Sequence, residues 1–188
     1  MNPDVEISIF DVLVESFGTV FGPGIEGMQA QRDLNIQSID GIPLAVTRAG
    51  YEISYVDLPV NVSGFAQVID NERHIAVNRE KPLSHRVVTI AHELGHHRLH
   101  LNPSGKAVLA SSQSNGATEY EANMFAAMFV APLTSGRQQE ELLAQNPEIR
   151  STLIVPVIAT LMAILVALVI WIWSYLDRRL GPKLLATT

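Results

Sequence analysis

The chain has 188 residues, of which 47% are apolar and 17% charged, with a formal charge of −6 and no cysteine. The lack of cysteine excludes a disulfide scaffold, a thiolate metal site and a cysteine nucleophile. Up to residue 152 there are 10 Lys and Arg against 18 Asp and Glu, and beyond it 3 against 1, so the larger part carries −8 and is not expected to bind nucleic acid directly.

Residues 1–24 begin with acids where a secretory leader would carry bases, and Asp11 and Glu15 interrupt the apolar run. The segment reads as a short amphipathic helix or a strand, with no leader expected. Between 34 and 80, β-branched and aromatic residues alternate with turn signals. Asp40-Gly41 is a hairpin signal between NIQSI and IPLAVTR. Strands are expected over 51–58, 64–69 and 74–78, with Asp70-Asn71-Glu72 turning the chain between the last two. Pro82 suits the first turn of a helix over 83–100, LSHRVVTIAHELGHHRLH. A Ser-, Gly- and Ala-rich loop is expected over 103–117, a second helix over 118–131 closed by Pro132, and a polar third helix over 137–146.

Residues 153–176 then run for 24 positions without a charge. About 20 such residues cross a bilayer, so one C-terminal transmembrane helix is expected here, with Pro156 in its first turn and Trp171, Trp173 and Tyr175 as an interfacial belt. The expected layout is a domain over 1–152, a span over 153–176 and a short polar tail over 177–188. Three bases follow the span and two precede it, which points weakly to a cytoplasmic tail. Exporting about 150 residues without a leader argues for the opposite placement. The expectation is a single-pass membrane protein with a cytoplasmic N-terminal domain.

The chemistry concentrates in His92-Glu93-Leu94-Gly95-His96. On a helix, positions i and i+4 share a face, so His92 and His96 can hold one divalent ion and Glu93 can act as general base on a water activated there. With 6 His among 188 residues, this pattern arises by chance on the order of 0.01 times in a shuffled chain. A catalytic zinc needs a third protein ligand and an open position. Positions 99 and 102 are Leu and Asn, so a distal histidine is not in the expected register. His100 lies too far along a straight helix to join the other two, and instead supports them, caps the helix or binds nothing. A carboxylate from the next helix remains. Glu119 and Asn123 share one face there, and Glu121 points about 160° away from Glu119; whichever faces the first helix is the ligand. Asn123 on the Glu119 face can orient a ligating histidine. Tyr120, His97 and His100 are candidate oxyanion donors, with no spacing to choose among them. His74 and His85 are expected to play surface or structural roles.

The stretch VSGFAQVIDNERHIAVNREKPLSHRVVTIAHELGHHRLH, followed by EYEANMFAAMFVAP, resembles the ImmA/IrrE family of zinc-dependent metallopeptidases over roughly 51–132. The resemblance implies an α+β, zincin-like metallopeptidase domain in which a small twisted sheet packs on the HExxH helix and a helix bearing the third ligand. It implies Zn2+ on His92, His96 and Glu119, with Asn123 in support; Glu93 as the catalytic base and His100 as a supporting residue are the readings from the residues themselves. It further implies a protein substrate, with helix-turn-helix repressors as the class such enzymes often cleave. The alternative is a non-proteolytic metal-binding sensor or adaptor, against which the intact Glu93 argues, because a purely structural site needs no general base.

Overall fold

The computed structural model describes residues 9–101 and 116–184. The chain divides into two compact units, Met1–Leu153 and Ile154–Thr188. The first is a mixed α+β domain. Helix α1 (Ile9–Asp33) and a short helix α2 (Ile42–Arg48) precede strands β1 (Tyr51–Val56), β2 (Gly64–Ile69) and β3 (Glu72–Asn78). Helices α3 (Leu83–Leu99), α4 (Gly116–Val130), α5 (Gly136–Gln145) and α6 (Pro147–Leu184) follow.

The sheet has the order β1-β3-β2. β1 runs parallel to β3, with Ile53 opposite Ile75, and β2 runs antiparallel to it, with Ala66 opposite Ile75. The β2–β3 hairpin closes through Asp70 and Asn71, both at positive φ (49° and 68°). A two-residue turn of this hand needs positive φ at both positions, and Asp and Asn adopt it at low cost. The expected turn is therefore present.

The hairpin expected at Asp40-Gly41 is not. Ile39–Gly41 forms one 3-10 turn and α2 starts at Ile42. Gly41 has φ −79° and ψ −14°, in the helical region, whereas the hairpin turn needs positive φ. Pro43 lies in the first turn of α2 and favours helix initiation. Ile42 and Val46, one turn apart, are then both fully buried. The strand expected over 51–58 ends at Val56, and Pro82 is the cap residue before α3 rather than part of its first turn. The loop expected over 103–117 lies almost entirely outside the described residues, and Gly116 and Ala117 already belong to α4.

The core gathers Ile42, Val46, Ile75, Val77, Val87, Ile90, Leu94, Phe125 and Phe129. Phe125 and Phe129 stack at 5.8 Å, one turn apart on α4. Phe125 lies between two glycines of other helices. A methyl group on Gly95 of α3 would sit 3.1 Å from its ring, and one on Gly27 of α1 would strike its backbone oxygen. α1 therefore packs on α4 at a distance that only glycine permits. Arg98 of α3 also donates to Glu26 of α1 at 2.9 Å. At the other edge of the domain, the buried Asn78 side chain donates to the carbonyls of Leu58 (3.2 Å), Pro59 (3.3 Å) and Val62 (2.8 Å), and its oxygen accepts the Glu80 N–H (3.1 Å). One amide thereby fixes the connection from β1 to β2.

The expected membrane span requires correction. Among the described residues no helix is long and apolar enough to cross a membrane. Residues 153–176 lie inside α6, which starts at Pro147 and continues to Leu184, so Pro156 is an interior helical residue and the expected tail is helical as far as Leu184. The single-pass placement with a cytoplasmic domain rested on that span and falls with it. Within the second unit the apolar side chains Val157, Leu161, Leu165, Trp171 and Trp173 are exposed.

Replacing Gly27 by Ala is expected to cost about 1–3 kcal/mol through overpacking, seen as a fall in Tm. Gly22→Ala, on the same helix with nothing within 4 Å, is expected to hold or raise Tm through helix propensity; equal falls for both variants would refute the tight α1–α4 contact. Asn78→Leu is expected to cost about 1–3 kcal/mol for each buried polar group left unpaired, and to increase proteolytic nicking within 57–63.

Candidate metal centre

α3 carries His92 and His96 one turn apart, with their Nε2 atoms 3.0 Å from each other. Glu119, in the first turn of α4, faces both: its carboxylate oxygens lie 3.4 Å from His92 Nε2 and 3.3 Å from His96 Nε2. Neighbouring ligands of a tetrahedral ion bound at 2.0–2.1 Å are separated by about 3.3 Å. Two imidazole nitrogens and a carboxylate at this spacing form a set that can hold one divalent ion. The far side of His92 is fixed as well, because its Nδ1–H donates to Asn123 Oδ1 at 2.9 Å. With that bond made, a neutral His92 directs its Nε2 lone pair at the other two donors. The residues present therefore fit a metal ion.

The electrostatics follow from burial and proximity. Glu93 is 5% exposed, and burial raises its carboxyl to about 7, against the opposing effects of His92 and the Ala66 backbone N–H. Hydrogen bonds from His92 and His96 hold the Glu119 carboxyl well below the usual carboxylate range. Burial pushes His96 down. It pushes His92 down as well, but the Glu119 hydrogen bond, Glu93 and Asn123 outweigh it and the net shift is upward.

His92, Glu93, His96, Glu119 and Asn123 line one open cleft of about 550 Å³, bordered by Ser63, Gly64 and Phe65 at the start of β2 and by residues from Gln145 to Ile149. His100 caps the C-terminus of α3. Its Nδ1 meets His96 Nδ1 at 3.0 Å and its Nε2 meets Glu121 at 2.8 Å. Glu119 and Glu121 therefore both reach α3, although helical spacing places them on different faces. They lie in the first two turns of α4 and meet different parts of α3, Glu119 the His92–His96 pair and Glu121 the helix end. His97 turns toward the sheet, where Nε2 donates to the His74 carbonyl at 2.9 Å and the ring packs edge-on against Tyr51. Tyr120 has a buried hydroxyl with no partner among the described residues. None of these three candidate oxyanion donors lines the cleft.

His85, expected to play a surface or structural role, also lines it. Its Nδ1–H donates to the Gln145 carbonyl (3.2 Å) and its Nε2 accepts the Ser63 hydroxyl (2.8 Å). The signal was in the spacing: His85 precedes His92 by seven residues, two helical turns along the same face. Ser63 carries no such signal, because its approach depends on how Asn78 folds the β1–β2 connection.

No curated protein and no solved structure matches the chain. A family profile, the IrrE N-terminal-like domain of a peptidase family, matches residues 46–160. The matched region is more than half of the chain and contains both helices of the candidate centre, in agreement with the resemblance read from the sequence: the chain belongs to the IrrE N-terminal-like family of metal-dependent peptidases.

Proposed function

We propose that this protein is a zinc-dependent endopeptidase whose domain, over residues 1–152, hydrolyses a peptide bond in a protein substrate. The observation that carries this reading is the convergence of His92, His96 and Glu119 at 3.0–3.4 Å beside a buried Glu93. His92, His96 and Glu119 hold the ion. Zn2+ in such a site acidifies water and polarises a carbonyl.

The chain's own residues supply the rest. Glu93 is the general base and acid. A carboxyl raised to about 7 gains and gives up a proton at similar cost near neutral pH, as is needed to deprotonate a water and then protonate a leaving amine. Its burial against β2 keeps it from being solvated away from the cleft. Asn123 holds the His92 ring in the ligating tautomer. β2 is an edge strand whose first residues border the cleft, so an extended substrate segment can lie alongside it. The family resemblance points to a helix-turn-helix repressor as the substrate, and the acidic domain favours acting on the repressor protein rather than on its DNA.

Elemental analysis of the purified full chain tests the site. One zinc per chain is expected in the wild type and in Glu93→Gln, and none in His92→Ala or Glu119→Ala. Mass spectrometry of protein N-termini from cells expressing wild type or Glu93→Gln tests the activity. New termini are expected with the wild type only. Absence of zinc from the wild type, or the same new termini from Glu93→Gln, refutes the proposal.

A further inference from the structure

His96 is held from behind by a chain of two side chains that ends on a carboxylate. His96 Nδ1 meets His100 Nδ1 at 3.0 Å, and His100 Nε2 meets Glu121 Oε2 at 2.8 Å. His96 is 4% exposed, and the His100 and Glu121 side chains are only 17% and 31% exposed, so water competes weakly for these bonds. The backbone braces the same turn, because the N–H groups of His100 and Leu101 both donate to the His96 carbonyl at 2.9 Å.

From this geometry we infer that Glu121 is a positioning residue for the metal site, acting through His100 on His96. The inference rests on the ligand assignment proposed above. If His96 gives its Nε2 lone pair to an ion, its remaining proton is on Nδ1. That N–H must donate, so His100 Nδ1 must accept. The His100 proton is then on Nε2 and donates to Glu121, which only accepts. With both imidazoles neutral, one arrangement of protons satisfies both contacts of this chain, and it is the one that keeps His96 Nε2 free for the metal. With His100 in the opposite tautomer, Nδ1–H would face His96 Nδ1, put the His96 proton on Nε2 and close the site. The carboxylate at the end of the chain selects the open form.

Glu121 therefore has a role distinct from that of Glu119, two residues away. Glu119 is one of the donors; Glu121 sets the direction in which another donor points. Loss of Glu119 abolishes the site, whereas loss of Glu121 weakens it.

Zinc affinity of the full chain, measured by competition with a chromophoric chelator, distinguishes the two. Glu121→Ala and His100→Phe are each expected to weaken zinc binding about 10- to 100-fold. The double variant is expected to be no weaker than either single one, because both break the same chain. Glu121→Gln keeps an acceptor oxygen and is expected to retain most of the affinity. If wild type binds zinc and Glu121→Ala binds it within twofold, or if the two losses multiply, the inference is overturned while the metal site stands. If wild type binds no zinc, the underlying site assignment fails instead. Nitrogen-15 NMR of the zinc-loaded wild type needs no variant to fold. A proton on His100 Nε2 supports the chain, and a proton on His100 Nδ1 overturns it.

Discussion

The structure depends on the close approach of α4 to α3, and that approach is set by one ring. Phe125 is fully buried, with Gly95 against its ring and Gly27 against its backbone. Burying a phenylalanine side chain contributes roughly 1.5–3 kcal/mol. Here it also decides geometry, since two helices without side chains at the contact can close on α4 from different directions. Gly95 sits between Glu93 and His96, inside the motif. Its cost of about 1 kcal/mol in a helix interior is offset by the packing it permits. With α4 brought this near, Glu119 at its start falls opposite His92 and His96.

The resulting site combines interactions that do not favour folding by themselves. Two imidazole nitrogens 3.0 Å apart and a carboxyl raised to about 7 by burial are a cost to the domain in the absence of a ligand. The core beneath bears that cost. Val87, Ile90, Ala91 and Leu94 are all buried on α3, and His97 anchors the helix to β3 through the His74 carbonyl. The helix thus carries polar groups toward the cleft and apolar groups toward the core and sheet. Departures from local rules, such as a glycine in the middle of a helix and a buried acid, cluster where the chemistry is expected.

How much of this was legible in the sequence varies with the range of the interaction concerned. The spacing of His92, Glu93 and His96 is local, and a helix fixes it without reference to the rest of the chain. The pairing of Asn123 with Glu119 on one face is also local, and the structure brings Asn123 to His92. The choice between Glu119 and Glu121 was not legible from helical angle alone. Both reach α3, because His100 extends the partner helix far enough to meet the second acid. Asp40-Gly41 failed as a hairpin signal because a dipeptide propensity was overridden by Pro43 and by the burial of Ile42 and Val46 on one helical face. The packing of α1 on α4 was invisible, since small residues such as Gly24 and Gly27 signal close approach only once the partner is known. The apolar run over 153–176 was legible as a helix, and α6 contains it; the membrane span inferred from it did not hold.

On the proposed assignment, α4 carries three groups at alternate positions that each act on α3. Glu119 is a ligand, Asn123 holds His92 and Glu121 holds His96 through His100. The two histidines thus lie on one helix, and the side chains that direct them start from the other, directly for His92 and through the α3 cap residue His100 for His96. Metal affinity and the docking of α4 on α3 are then one equilibrium viewed from two sides. An ion that binds only when the helices are apposed stabilises their apposition by the same free energy. Packing at Phe125 brings the helices together beforehand and so reduces the ordering that binding must supply. A substitution at the Phe125 contact, with no polar atom near the centre, can therefore weaken metal binding, and a substitution at Glu121 can do so without disturbing the core.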